Sequence, residues 1–474
     1  MTTTHSVRER AAGATTTRRW LVLTLLATAQ LMLVLDVTVV NVALPDIGAA
    51  LGLSRAAVPW VLTTYTLGFG GLMLLGGRVA DLVGARRVML VGLAAFTASS
   101  LGCALSNGAA ELLVARGAQG LSAAFLSPAA LALVMAAFTG ADRSKALAVW
   151  SSLAGAGSAL GVILGGVLTS AISWRWIFAI NVPIGAALLV LLPAVTAVSQ
   201  PRPNERTRID LLGAMLVTGS IGAAIYGLVN AGSHGWTAPA TLAALVVPVV
   251  GCGVFAWVER VVSQPLLAVT LFRRRAVTGG AFLMVIATGL LVGGFFLGSF
   301  ELQRVFGYSA VHVGAVFLPI AVATIVGAQA AGHLVQHLDT RRIAVLGLTL
   351  AAGGYATALW WHQPAGIITG FSLASLGIGA TFVTAFTSSL ADASPEESGL
   401  RSAIVGTFHE LGGALGVAAL ATAAGSALTA RLVIADDFFR AFAVGTITAL
   451  IAIPIAGLLV PAVRKPAAAG GHGH

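Results

Sequence analysis

Fourteen stretches of roughly twenty or more residues, nearly free of charge, follow one another along the chain. They fall at about 20–45, 57–79, 87–106, 110–135, 145–170, 174–197, 210–231, 239–259, 276–301, 310–334, 341–361, 364–390, 399–428 and 438–462. Each is long enough to cross a bilayer as a helix. A soluble core would need far more polar surface than this, since 57% of the 474 residues are hydrophobic and 9% charged, with a mean hydropathy of +0.94. A membrane β-barrel would show short alternating segments instead. The expected fold class is an all-α polytopic membrane protein with 14 transmembrane helices.

The basic residues set the orientation. With the N-terminus in the cytoplasm, the inner side collects Arg8, Arg10, Arg18, Arg19, Arg78, Arg86, Arg87, Arg143, Lys145, Arg202, Arg206 and Arg208. Later loops add Arg260, Arg273, Arg274, Arg275, Arg341, Arg342, Arg401, Arg464 and Lys465. The outer side keeps only Arg55, Arg175, Arg304, Arg431 and Arg440. Cytoplasmic loops carry such an excess, so the bias fixes both the orientation and an even number of spans. It also accounts for the net charge of +10 without any nucleic-acid partner. Cys103 and Cys252 lie in apolar segments and read as small core hydrophobes rather than a disulfide or a metal site. The first run is too long for a signal-peptide core and reads as an uncleaved span. The Thr- and Arg-rich tail before it is expected to lack regular structure.

Against this background, ionisable residues inside spans stand out. An Asp at the centre of a membrane helix is unfavourable by roughly 2.5–3.5 kcal/mol, so a chain keeps one there only for use. Asp36 sits within the first span, Arg116 within the fourth, Glu301 near the outer end of the ninth and Glu410, beside His409, in the thirteenth. Arg116 can face Asp36, or it can snorkel outward towards Glu111. Glu301 either lines the path or is an interfacial carboxylate paired with Arg304.

Residues 77–87 (GRVADLVGARR) and 332–342 (GHLVQHLDTRR) form a weak internal repeat, each closing an apolar span with a Gly and an Arg pair. Repeated halves are common in transporters, with the path between them. The division expected from this is a cytoplasmic tail at 1–19, a six-helix half at 20–197 and a linker with an inserted transmembrane hairpin at 198–262. A second six-helix half at 263–463 and a tail at 464–474 follow.

Several motifs occur in one order. They are LDVTVVNVALP at 35–45, then Gly77, Asp81, Gly84, Arg86 and Arg87 after the second span. Arg116, Gln119 and Gly120 followed by Ser127-Pro128 lie on the fourth span, and Gly157, Gly161, Gly165 and Gly166 on the fifth. GYSAVHVGAVFLP lies at 307–319. Over nearly its whole length the chain resembles the fourteen-span drug:proton antiporter family of the major facilitator superfamily. It departs from the family pattern at Leu82 and Ala85, where basic residues are usual, at Val162, where the fifth-span motif has proline, and at Glu301, where an aromatic is more common. The resemblance implies two six-helix halves plus the hairpin. It implies proton and substrate coupling through Asp36, Arg116, Glu301 and Glu410, and a substrate path including Asn41, Trp60, Tyr65, Gln119, Phe125 and His409. Phe296 and Phe386 are placed in the same aromatic lining by helix position. Gly77, Asp81, Gly84, Arg86 and Arg87 would form a conformational latch, and the fifth-span glycines, four residues apart, would let helices pack closely or slide.

The expected activity is export of a hydrophobic, cationic or antibiotic drug in exchange for protons, in a plasma membrane. No cofactor beyond the proton motive force and no metal is expected, and the partners are the drug, protons and the lipid bilayer, with the chain a monomer. The alternative is export of one endogenous metabolite or lipid. A membrane enzyme would call for a cluster of metal-ligating or triad residues, and a primary pump for a phosphate-binding loop, and neither pattern occurs.

Overall fold

The structure, a computed structural model, describes residues 2–138, 140–195, 211–262, 269–361, 363–393, 395–428 and 438–463. Most of the expected linker, the C-terminal tail, and Arg202, Arg206, Arg208, Arg431, Asp436, Asp437, Arg464 and Lys465 lie outside the described residues, as do the side chains of Arg8, Arg10, Arg18 and Arg143.

The first half is built from α1 (Thr2–Ala50), α2 (Ala57–Val83), α3 (Ala85–Leu105), α4 (Ala109–Ala137), α5 (Gly140–Ala171), α6 (Trp176–Ala179) and α7 (Asn181–Val195). A hairpin of α8 (Leu211–His234) and α9 (Pro239–Val261) follows. The second half holds α10 (Arg275–Arg304), α11 (Ala310–Leu334), α12 (Thr340–Trp360), α13 (Pro364–Leu390), α14 (Pro395–Ala424) and α15 (Phe439–Leu459). Among the described residues, thirteen segments are long and apolar enough to cross a membrane, and the described apolar stretch of α5 is Leu160–Ala171.

Three boundaries differ from the sequence reading. The tail expected to lack structure continues α1, which runs unbroken from Thr2. It contains no proline, and as an extension of a long helix it needs no nucleus of its own. The sixth span carries an interrupted hydrogen-bond ladder: Pro183 has no N–H for the carbonyl of Ala179, so α6 and α7 are separated at Ile180, whose backbone stays helical, and together they run as one span, Trp176–Ala194. The span after residue 390 starts earlier than its apolar run, at Pro395, because proline suits the first turn of a helix whatever its hydropathy.

We call the end of the bundle with the α1–α2 turn distal, and the end with the α2–α3 loop proximal. In the α2–α3 loop, Gly84 has φ +100°, a conformation that side chains rarely adopt, and this allows α2 to end and α3 to begin with a single residue between them. Across the halves, α1 packs on α10, α5 on α11 and α2 on α14. The hairpin helix α8 packs on both α2 and α14 and so bridges the halves, while α9 turns Val246, Val247, Val249, Val250 and Trp257 outward, as a lipid-facing helix does.

The apolar core is divided unevenly. One cluster, including Val42, Leu44, Val162, Phe178, Phe296, Phe317 and Phe442, runs through both halves at the distal end. Nearer the proximal end, a cluster with Met32, Met89 and Leu126 belongs to the first half alone, and one with Met284, Leu348 and Val405 to the second alone. The distal contact also carries the hydrogen bonds between the halves. Gln303 Nε2 and Ser299 Oγ of α10 donate to the Val42 carbonyl of α1 at 2.8 and 3.4 Å, and the Val311 N–H donates to Ser170 Oγ at 3.1 Å. At the proximal end the described α2–α14 contact is apolar, through Leu74 and Ile404.

Candidate functional site

In the first half, Asp36 and Arg116 meet as a buried pair, each side chain fully shielded from solvent. Arg116 Nη1 donates to Asp36 Oδ2 and, at 2.7 Å, to Gln119 Oε1. Gln119 Nε2 donates to Asp36 Oδ1 and to Ser100 Oγ, both at 2.8 Å. Arg116 and Gln119 are three residues apart on α4, so they share a face and close a ring with the carboxylate of α1. Arg116 Nε is held by the Val61 carbonyl at 2.9 Å, and the guanidinium lies 4.4 Å from the centre of the Tyr65 ring and 5.6 Å from that of Phe178. Arg116 Nη2 is buried without a hydrogen-bond partner, one donor more than the ring uses. Arg116 therefore faces Asp36 rather than snorkelling towards Glu111. Asn41, one turn further along α1, is buried and bonds the Val37 carbonyl at 3.0 Å.

In the second half the acids are held differently. Glu301 on α10 is fully buried, and neither carboxylate oxygen has a hydrogen-bond partner among the described residues. It makes no ion pair with Arg304, so the interfacial pairing is not found. Ser299 and Gln303, two residues to either side, make the distal clasp to Val42. Glu410 on α14 is half-buried and makes no described hydrogen bond. It lies against Gly70 of α2, where an added Cβ would press into Glu410 and Leu411. His409 shares a 2.8 Å hydrogen bond with Thr288 and stacks 5.5 Å from Phe382. Tyr65 lies against the Arg116 guanidinium, and its hydroxyl donates to the Leu33 carbonyl of α1 at 3.4 Å.

The other predicted residues divide. Trp60 packs with Ile225 and Val229 of α8 and with Ala414 and Ala418 of α14, at the seam between hairpin and second half. Phe125 is half-buried against Leu75 of α2 and Ala214 of α8. Phe296 stacks on Phe300 in the distal core, and Phe386 is 41% exposed, so neither joins the charged ring. The fifth-span glycines do allow close approach. Side chains at Gly157, Gly161 and Gly165 would strike Val34, Thr38 and Val39 of α1, and one at Gly166 would strike Ala310 and Val311 of α11. Val162, at the motif's proline position, turns its carbonyl to Gly314 of α11. Among the described contacts, those of the predicted latch lie inside the first half. Gly77 packs near Pro128, Asp81 and Arg87 are exposed, and Arg86 donates to the Pro193 carbonyl of α7 at 3.0 Å, inside its own half.

Sequence reasoning missed three features. Arg401, read as a loop charge, is fully buried and donates to the Ser389 carbonyl at 3.0 Å and to Asp392 Oδ1 at 2.5 Å. Its position three and four residues before buried Ile404 and Val405 places it on their face of α14, which is a readable signal. That hydrogen bond from Arg401 holds the Asp392 carboxyl below the usual carboxylate range. Arg175 closes the end of α3 by donating to the Ala104 and Ser106 carbonyls at 2.8 and 2.6 Å. Buried Tyr355 donates to the Leu290 carbonyl at 2.5 Å and fills the space opposite Gly445. These last two depend on carbonyls distant in sequence and leave no local trace.

No group of three metal-ligating side chains occurs among the described residues. The family model described as Major Facilitator Superfamily matches residues 26–417. The puromycin resistance protein pur8 of Streptomyces alboniger is 39% identical, over 94% of this chain and 90% of its own length. The cephamycin export protein CmcT of Amycolatopsis lactamdurans is 34% identical, over 98% and 97%. The lincomycin resistance protein of Streptomyces lincolnensis is 33% identical, over 87% and 86%. Among solved structures, an auto-inhibited POT family peptide transporter superposes with a TM-score of 0.68 at 15% identity, covering 94% of this chain and 99% of that one. That likeness concerns the fold. With paired halves, membrane-length helices and a match over most of its length, the chain belongs to the Major Facilitator Superfamily and is a membrane transporter rather than an enzyme.

Proposed function

We propose that the protein exports hydrophobic, antibiotic-like compounds in exchange for protons by alternating access. The observation that carries the reading is the buried Asp36–Arg116–Gln119 ring, an ion pair held within the membrane-spanning bundle. The relatives named for resistance to, or export of, puromycin, cephamycin and lincomycin support a drug as cargo. In this reading the proximal end and both termini face the cytoplasm, the membrane is the plasma membrane, and the chain works as a monomer. The distal end, with its continuous core and hydrogen bonds between halves, is then the closed outer side.

The ring suggests how the proton acts. Ionised Asp36 holds Arg116, and both carboxylate oxygens are satisfied. A proton on Asp36 removes the anion and frees the guanidinium, an expensive change in a dry site unless the helices move. Asp36 already gives both oxygens to the protein, so a cationic drug must displace Arg116 to reach it. Glu410 and Glu301 have acceptor oxygens to spare and are the better hosts for a cation or for a proton held on a neutral acid. Proton and drug compete for linked carboxylates, so each weakens the other's binding by the same factor.

Magnitudes bear on the number of sites. One charge crossing about 150 mV is worth roughly 3.5 kcal/mol. At tenfold per 1.4 kcal/mol, that sustains roughly a few-hundred-fold gradient of a neutral drug. A monovalent cation exchanged for one proton moves no net charge and gains nothing from the potential. A second proton site removes this limit, and the second-half acids can supply it.

The test is a pH-gradient assay in energised inside-out vesicles. Added antibiotics and lipophilic cations should trigger proton release with the wild-type protein and none with Asp36→Asn. No proton movement with any compound in the panel would overturn drug:proton exchange and favour one endogenous metabolite or lipid as cargo.

A further inference from the structure

The ring is not closed by α1 and α4 alone. Helix α3 turns Val91, Leu101 and Leu105 outward, as a lipid-facing helix does, yet keeps Ser100 and Cys103 fully buried against Gln119. Ser100 Oγ accepts from Gln119 Nε2 at 2.8 Å, and Cys103 Sγ donates to Gln119 Oε1 at 3.6 Å. Three residues apart on α3, the two share a face. Neighbouring hydroxyls behave otherwise. Thr97 and Ser99 donate to the Leu93 and Ala95 carbonyls of their own helix at 2.7 Å each, the usual recourse of such residues inside a helix. Ser100 makes no such described bond and serves Gln119 instead.

The donors and acceptors fix which way the amide lies. Arginine only donates, so the Gln119 atom that meets Arg116 Nη1 at 2.7 Å is the oxygen, and the N–H groups are left to face Asp36 Oδ1 and Ser100. Both N–H groups and both acceptor positions of the amide are then in use, one of each on α3. The α3 contacts involve no charge and lie inside the first half, so they persist when a proton on Asp36 loosens Arg116. A hydrogen bond to a carboxylate favours its ionised form, and most strongly when the donor is held in place beforehand. Among the described residues, the charged or titratable groups facing Asp36 are Arg116 on α4, Tyr65 on α2 and Cys103 itself. On the other helices against α1, Asp142, Arg143 and Lys145 lie near the start of α5, α6 and α7 carry no charge, and the histidines of α11 are exposed. Glu301 of α10 lies near Val42, six residues or about 9 Å along α1 from Asp36.

We infer that Ser100 and Cys103 are positioning residues for Asp36: by holding the Gln119 amide they keep its N–H on the carboxylate, and so set how readily Asp36 takes up a proton. This role rests on Asp36 being the proton site proposed above and is independent of the cargo. It gives α3, an outer helix, a part in proton coupling without any contact with the proton itself.

The test follows the Asp36 carboxyl itself, by infrared pH titration of the purified full-length protein. Its band is assigned with isotope-labelled aspartate and by its loss in Asp36→Asn. Removing the donor outright, with Gln119→Leu, should move the midpoint up by about one pH unit, the worth of one hydrogen bond. Ser100→Ala/Cys103→Ala leaves the donor but frees it, and should move the midpoint up by about half a unit. If the double variant does not fold, Ser100→Ala alone should give most of that shift. Cys103→Ser, which keeps a donor, should match the wild type. So should Gly102→Ala, whose added methyl would meet Ala115 of α4 at 3.4 Å and so changes the α3–α4 packing without touching the amide. An unmoved or lowered midpoint in the double variant and in Ser100→Ala, or an equal shift in Gly102→Ala or Cys103→Ser, would overturn the positioning role and leave Asp36 as a proton site. Absence of any Asp36 titration between about pH 4 and pH 10 would overturn both.

Discussion

Asp36 gives both carboxylate oxygens to neighbours, Arg116 and Gln119, whereas the equally buried Glu301 gives neither to any described residue. The same contrast holds for the bases. Arg116 is enclosed by an acid, two acceptors and two aromatic rings, while His409 in the second half meets Thr288 and Phe382. The first half therefore holds a charge pair that stabilises one arrangement, and the second holds acids able to accept something new. A transporter needs both: a group whose state changes the conformation, and a group left open for what is carried.

The contrast can be broken most severely at Arg116. Replacing it with Gln leaves an uncompensated carboxylate in a dry site and should cost about 3–5 kcal/mol, read as a fall in thermal midpoint and in expressed protein. Asp36→Asn leaves the opposite charge buried and should destabilise by a similar amount, with loss of proton-coupled transport. The double variant Asp36→Asn/Arg116→Gln should recover most of the stability and none of the coupling. Recovery of transport would mean that the ring is structural. Glu301→Gln exchanges one unpartnered polar group for another, so its stability should change by about 1 kcal/mol or less. Its effect should appear instead in transport, as weaker export of cationic compounds and near-normal export of neutral ones. Glu410→Gln should act in the same direction.

The smallest effect belongs to the Arg401–Asp392 contact. Arg401 holds the Asp392 carboxyl below its usual range, so the contribution is present at neutral pH and is lost as the pH falls through that lowered value. Asp392 is more than half exposed, and screening limits the contribution to about 1 kcal/mol. Asp392→Asn should lower stability at neutral pH by about 1 kcal/mol and remove this part of the acid dependence of unfolding.

How much was legible follows from the kind of signal. The spans were readable because uncharged runs of this length have one use in a chain so apolar. Asp36 and Arg116 were readable as a pair because they are opposite charges isolated inside two such runs. Their partner Gln119 was readable only through the motif, because a Gln in a span is otherwise ambiguous. Trp60 and Phe386 were placed in the path by type, but which way an aromatic turns is settled by the neighbouring helix, here α8 for Trp60. The latch at Asp81 and Arg86 was read from motif spacing, yet its contacts depend on where the other half stands, and no spacing encodes that. The distal clasp of Gln303 to Val42 was invisible because its acceptor is a backbone carbonyl, the same in every residue.

The most direct test of the division between halves is the proton count on drug binding. Purified protein in weakly buffered solution is mixed with saturating drug, and the protons released are measured for wild type, Asp36→Asn, Glu301→Gln and Glu410→Gln. The account predicts release by the wild type with neutral and cationic drugs, none by Asp36→Asn with either, and release by the glutamate variants with neutral drugs only. Undiminished release by Asp36→Asn, with loss confined to the glutamate variants, would place proton coupling in the second half and contradict the role assigned to the ring.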